Sequence, residues 1–191
     1  VKVLIACEYS GTVRDAFTRA GHWAVSCDIM PSDSPGWHYQ GDVLDCLNDG
    51  WDLMIAHPPC THLAVSGAKH FHKKADLQAE ALEFVQALMD APIDRICIEN
   101  PVSVISSRIR KPEQIIQPWQ FGDEFQKTTC LWLKNLPPLI PTKIVGKGEF
   151  ITFQSGKKMP KWYSNAKGKS RSKTFQGIAD AMATQWGKGV L

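Results

Sequence analysis

No apolar run in this 191-residue chain approaches the roughly 20 residues needed to cross a bilayer, so a helical membrane protein is excluded. The N-terminus opens directly on VKVLIA, without a charged lead or a small-residue cleavage site, so no signal peptide is expected. A soluble, cytoplasmic protein with no membrane association is the expectation. None of the six cysteines forms a CxxC pair, and zinc-ligand spacing is missing. A disulfide framework and a metal centre are therefore not expected. There is no internal repeat and no GxGxxG. A length of 191 residues suits a single domain over 1–191 with a sizeable core.

Cys7, Cys27 and Cys97 sit inside apolar runs and read as buried small hydrophobes. Cys60 differs. It follows Pro58–Pro59 at the end of an apolar run, DLMIA, in the stretch AHPPCTHLAVSG (56–67).

The net charge of +3 hides an asymmetry. Lys143, Lys147, Lys157, Lys158, Lys161, Lys167, Lys169, Arg171 and Lys173 face Glu149 alone. Trp162 and Tyr163 lie among them, and glycines loosen the stretch. Basic residues interleaved with aromatics fit a flexible surface for a polyanion, nucleic acid first. This places a flexible basic insertion at about 140–170.

Apolar runs at 1–7, 22–30, 52–56, 95–100 and 128–134 read as strands, and residues 38–43, counted as the third strand, lead into a short acidic segment around Asp42. TVRDAFTRAG places Val13, Ala16, Phe17 and Ala20 at helical spacing and stops at Gly21. Residues 73–88 and 174–186 read as further helices. Strands alternating with helices predict an α/β fold: a mostly parallel sheet with helices on both faces. In such sheets the ligand lies beyond the carboxyl ends of the strands. Glu8–Gly11, Asp28, Asp42, Cys60 and Glu99 all fall there. A loop, a second-strand carboxylate and an Asp near the third strand suit a nucleoside. With one glycine and no lysine in CEYSGTV, a nucleoside without phosphates fits best; S-adenosylmethionine is one.

The residues then resemble a known family. HPPCTHLAVSG is similar to the catalytic loop of DNA cytosine-5 methyltransferases, and IENP (98–101) to their Glu-Asn motif. IACEYSGTVRDAFTRAG (5–21), CDI (27–29) and GDV (41–43) resemble the three cofactor motifs, with Gly11, Arg14 and Gly21 in register. SRSKTFQGIADAMATQW (170–186) resembles the last motif, which returns to the cofactor loop. Thr61 stands where the family has Gln, and Gln126–Lys127 where it has paired arginines. The family's large target-recognition region is missing, as in a compact phage or mobile-element enzyme, whose place would be the host cytoplasm.

The resemblance implies a Rossmann-like S-adenosylmethionine-dependent methyltransferase fold. It implies Cys60 as nucleophile on C6 of cytosine and Glu99 as the acid at N3. Cofactor contacts would come from Glu8, Tyr9, Ser10, Gly11, Asp28, Ile29, Asp42, Val43, Pro58, Ser172 and Thr174. Substrate contacts would come from His62, Ser66, Asn100 and Lys127, with Asn100 also holding the turn around Glu99. The partner would be DNA, single-stranded or with its cytosine flipped out, read with low sequence specificity. Two alternatives stay open: C5 chemistry on a free cytidine nucleotide, and a non-catalytic binding protein of the same fold.

Overall fold

A computed structural model describes residues 1–66, 75–165 and 171–188. Gly67, the start of the expected helix at Lys73, and Lys167 and Lys169 lie outside them. A seven-stranded sheet organises the chain, in the order β3-β2-β1-β4-β5-β7-β6. Its strands are β1 (Lys2–Ala6), β2 (Trp23–Asp28), β3 (His38–Gln40), β4 (Leu53–Ala56), β5 (Arg95–Asn100), β6 (Gln114–Ile116) and β7 (Thr129–Lys134). The first five pair in parallel, and β7 runs antiparallel between β5 and β6. This is the mostly parallel, Rossmann-like α/β sheet expected from the sequence.

β1 is central because it is apolar on both faces. Val3 to Ala6 are fully buried, as a parallel strand with helices above and below requires. On one face Val3 and Ile5 meet α1 (Thr12–Arg19) and α5 (Gln176–Trp186), through Phe17, Ile178, Met182 and Trp186. On the other, Leu4 and Ala6 meet Val43, Trp51 and Leu63, while Val85 and Leu88 of α2 (Ala75–Met89) and Ile105 of α3 (Ile105–Arg108) cover the neighbouring strands. Helices therefore cover both faces. The strand order reverses between β1 and β4, so a crevice opens beyond their carboxyl ends.

Several elements are not read from the sequence. α3 and β6 fall in a stretch without clear periodicity, and four and three residues are too few to show one. The region after Pro137 is not all loop. It carries a hairpin of β8 (Phe150–Thr152) and β9 (Lys158–Pro160), then α4 (Lys161–Asn165). Trp162 fastens this piece to the body: its ring packs 5.4 Å from Phe175 and 5.8 Å from Phe125, and its Nε1 donates to the Gln126 carbonyl at 3.1 Å. Gly177 begins α5 against the chain: a Cβ there would sit on the Phe121 carbonyl oxygen.

Candidate active site

Two loops meet at the crevice. The first leaves β1 through Cys7, whose φ of 58° turns the chain sharply, and enters α1 at Gly11, φ 74°. Glycine is required at 11 because a Cβ there would strike Ser34 Oγ and the Arg14 guanidinium. The buried Glu8 carboxylate caps α1. It accepts from Val13 N at 2.7 Å and Arg14 N at 3.1 Å, and Ser10 Oγ donates to it at 3.1 Å. The N–H groups that a phosphate would seek at a helix N-terminus are thus taken, by a group of phosphate's own sign.

Asp28 and Asp42 come to the same end of the sheet. Burial, then Asp28, then Asp42, push the Cys7 thiol up to about 12, so both carboxylates bear on this loop. Each is oriented locally: Asp28 Oδ1 accepts from Met30 N at 2.9 Å, and Asp42 Oδ1 from Leu44 N at 3.0 Å. The Ile29 side chain beside Asp28 is 77% exposed, unusual for isoleucine. Val43 is buried in the core, which leaves only its backbone for a ligand. Arg14, 1% exposed, pins the 32–35 loop through Ser32 Oγ at 3.1 Å, Ser34 Oγ at 2.6 Å and the Pro35 carbonyl at 2.8 Å.

The segment before α5 closes the crevice. Ser172 Oγ lies 3.2 Å from the Tyr9 hydroxyl, and Lys173 pairs with Asp33 at 2.9 Å. Cys7, Glu8, Tyr9, Ser10, His57, Ser172, Lys173 and Thr174 line one pocket. Residues 163 positions apart in sequence thus share a wall.

The second loop leaves β4 as His57-Pro58-Pro59-Cys60. Pro58 is buried, and its carbonyl accepts from Asn100 Nδ2 at 2.8 Å. Asn100 therefore grips the proline loop rather than a turn around Glu99. The Cys60 carbonyl takes the Leu63 and Ala64 N–H groups at 3.1 and 2.9 Å, which leaves the residue exposed at the start of a turn. The other five cysteines are buried or partly so. Partial burial pushes the Cys60 thiol up, the Glu99 charge adds to this, and Lys127 opposes it. Cys60, Glu99 and Lys127 therefore act on one another.

Glu99 is 8% exposed on β5. Burial favours its neutral form, but the His57 hydrogen bond and the Lys127 and His57 charges outweigh it, holding the carboxyl below its ordinary value. His57 Nδ1 lies 2.9 Å from Glu99 Oε2. Sequence reasoning passed over His57, although it stands directly between an apolar strand and Pro58–Pro59. That position was the one signal available.

Of the remaining expected residues, Lys127 Nζ donates to the Lys173 carbonyl at 3.4 Å, between the two loops. His62 is half-buried, its Nδ1 buried without a hydrogen-bond partner among the described residues, and its carbonyl accepts from Gln78 at 3.1 Å. Ser66 is exposed, at the edge of the described residues. Lys157 and Lys158 are exposed on the hairpin, whereas Trp162 is spent on packing and Arg171 stacks 4.1 Å from the Tyr163 ring.

Comparison with known protein families finds no match, and comparison with curated proteins finds none. Among solved structures, the chain is similar to a crystal structure described as a DNA modification methyltransferase encoded within an E. coli prophage. The identity is 14% and the TM-score 0.48, over 76% of this chain and 52% of that one. The chain thus spans about half the length of that structure.

Proposed function

We propose that this chain is an S-adenosylmethionine-dependent methyltransferase that methylates C5 of cytosine in DNA through a covalent Cys60–C6 adduct. The observation that carries it is an exposed cysteine under the charges of Glu99 and Lys127 at the reversal of strand order, joined through the Glu99–His57 contact to a pocket where Glu8 takes the helix N–H groups a phosphate would seek. The donor set suits a nucleoside bearing an amino acid. Asp28 and Asp42 offer acceptors to ribose and base, Ile29 offers an apolar face, and Glu8 disfavours NAD or ATP at the helix end. Tyr9, Ser10, Gly11, Pro58, Ser172, Thr174 and the Val43 backbone complete the proposed cofactor contacts. The cofactor supplies an electrophilic methyl group.

C5 of cytosine is too weak a nucleophile to take that methyl unaided. Addition of the Cys60 sulfur at C6 turns the ring into an enamine and places electron density on C5. Glu99 faces N3, and Lys127 the pyrimidine carbonyl or a phosphate. The grip of Asn100 on Pro58 aims the sulfur. His62 and Ser66 are the further substrate contacts of this reading. A base inside a duplex cannot reach such a thiol, so the cytosine is single-stranded or flipped out. The exposed Lys157 and Lys158 supply sequence-independent attraction to the DNA backbone.

Incubation with cofactor and DNA containing 5-fluorocytosine tests the reading. Fluorine at C5 cannot leave as a proton does, so elimination stalls and a complex survives a denaturing gel. Cys60→Ser should lose it. Mass spectrometry of nucleosides from unmodified DNA should show 5-methylcytosine, and a parallel dCMP incubation should not. Methylation confined to dCMP would move the reading to a free nucleotide, and an adduct that persists in Cys60→Ser would sink the covalent route.

A further inference from the structure

His57 joins the two halves of the site. Its side chain is 10% exposed, its Nδ1 lies 2.9 Å from Glu99 Oε2, and it lines the pocket beside Cys7, Glu8, Tyr9 and Ser10. Its Nε2 is buried with no hydrogen-bond partner among the described residues. An ionised carboxylate has no hydrogen to give, so the hydrogen of the 2.9 Å contact is carried on Nδ1 and donated to Glu99. Addition at C6 leaves N3 in need of a proton, and a carboxyl held below its ordinary value has none to spare near neutrality.

We propose that His57 is a positioning residue for Glu99: it holds Oε2 through Nδ1–H and passes to it the proton that N3 of the cytosine takes when Cys60 adds at C6. This rests on the methyltransferase reading above. The step balances. Cys60 gives its thiol proton to solvent, the thiolate forms the S–C6 bond, the C5=C6 pair shifts to C4=C5, and the C4=N3 pair moves onto N3. The imidazolium of His57 gives its Nδ1 proton to Glu99, becoming neutral imidazole, and N3 takes that proton from Glu99. Once C5 carries the methyl group, it loses its proton to solvent, the C5=C6 bond re-forms as the C6–S bond breaks, and N3 returns its proton to the pair.

Other groups bear on the pair. Lys127 ahead of β7, Cys60 on the proline loop, Cys97 on β5 and Cys130 on β7 interact with Glu99. Cys7, Glu8, Tyr9 and Lys173 line the pocket with His57. Of these, the cations Lys127 and Lys173 stand against the carboxylate of Glu8, which is tied to α1.

His57→Asn keeps an N–H at the Nδ1 position but cannot carry the proton, and His57→Ala removes both functions. Two measurements apply to each, after circular dichroism has confirmed the fold. Carboxyl carbon NMR follows the titration of Glu99 and needs no turnover. His57→Ala should raise it towards the ordinary carboxylate value, and His57→Asn should leave it closer to wild type. The rate of adduct formation on 5-fluorocytosine DNA should fall about 100-fold in His57→Asn. An unchanged Glu99 titration in His57→Ala would overturn the holding role. A wild-type rate in His57→Asn would overturn the proton delivery. If wild type never forms the adduct while Glu99 still responds to His57→Ala, the cytosine reading and the proton delivery fall, and the holding role stands.

Discussion

The Asn100 side chain donates to the Pro58 carbonyl at 2.8 Å, across 42 positions of sequence. The end of β5 therefore grips the loop that leaves β4. Cys60 lies two residues beyond that carbonyl, so one buried amide fixes both the glutamate strand and the sulfur. Two prolines stiffen the loop because the residue before a proline disfavours the helical region.

Asn100→Ala should cost about 1–3 kcal/mol, since it deletes a buried hydrogen bond and leaves the Pro58 carbonyl unpaired. Chemical denaturation measures this. The same variant should slow adduct formation more than it weakens cofactor binding. Loss of cofactor affinity with an unchanged adduct rate would contradict the aiming role.

Glu8→Ala should cost about 1–2 kcal/mol by uncapping α1. It should also free the Val13 and Arg14 N–H groups for an anion. Phosphate is expected to raise the melting temperature of Glu8→Ala and not that of wild type. Equal responses would mean that Glu8 does not exclude phosphate.

The depressed Glu99 carboxyl links stability to acid. Because its folded value lies below the ordinary 4.5, the stabilisation is present above 4.5 and is lost as pH falls through the folded value. Wild type should exceed Glu99→Gln in melting temperature at neutral pH, with the gap closing in acid. A gap that is constant with pH would show that the carboxylate charge contributes nothing.

Cys60 is the one exposed thiol of the six. Native protein should take up one equivalent of a thiol reagent quickly, and Cys60→Ser none. The rate should rise in Glu99→Gln, because the Glu99 charge helps to hold the Cys60 thiol protonated. An unchanged rate would separate the two groups. Cys7, pushed up to about 12, should react only after unfolding.

Lys157→Ser with Lys158→Ser should weaken DNA binding and flatten its salt dependence, by release of fewer counterions. Fluorescence anisotropy at several salt concentrations reads both. An unchanged slope would make the β8–β9 hairpin a solvated connector. Lys161 is left intact because it pairs with Glu149.

Most of the sheet and the exposed cysteine of the proline loop were legible in the sequence. VKVLIAC, DLMIA and RICIEN are apolar enough to be buried on both faces, and that alone makes them central strands. TVRDAFTRAG carries its own period and its own stop. Cys60 stood out because two prolines and polar neighbours do not surround a core thiol. Short-range chemistry of this kind is written residue by residue.

What tertiary structure decided is everything that depends on which distant segments touch. The reversed direction of β7 and the three-residue β6 follow from pairing, because strand composition carries no direction. Glu8 became a helix cap because the αL turn at Gly11 brings the α1 N–H groups onto its carboxylate. Trp162, read as a surface aromatic, became an anchor because Phe125 and Phe175 lie under it. His57 drew no notice beside Pro58 until β5 placed Glu99 2.9 Å from its ring. A side chain's role depends on its partners, and partners 42 or 163 positions away are set by the packing of the sheet.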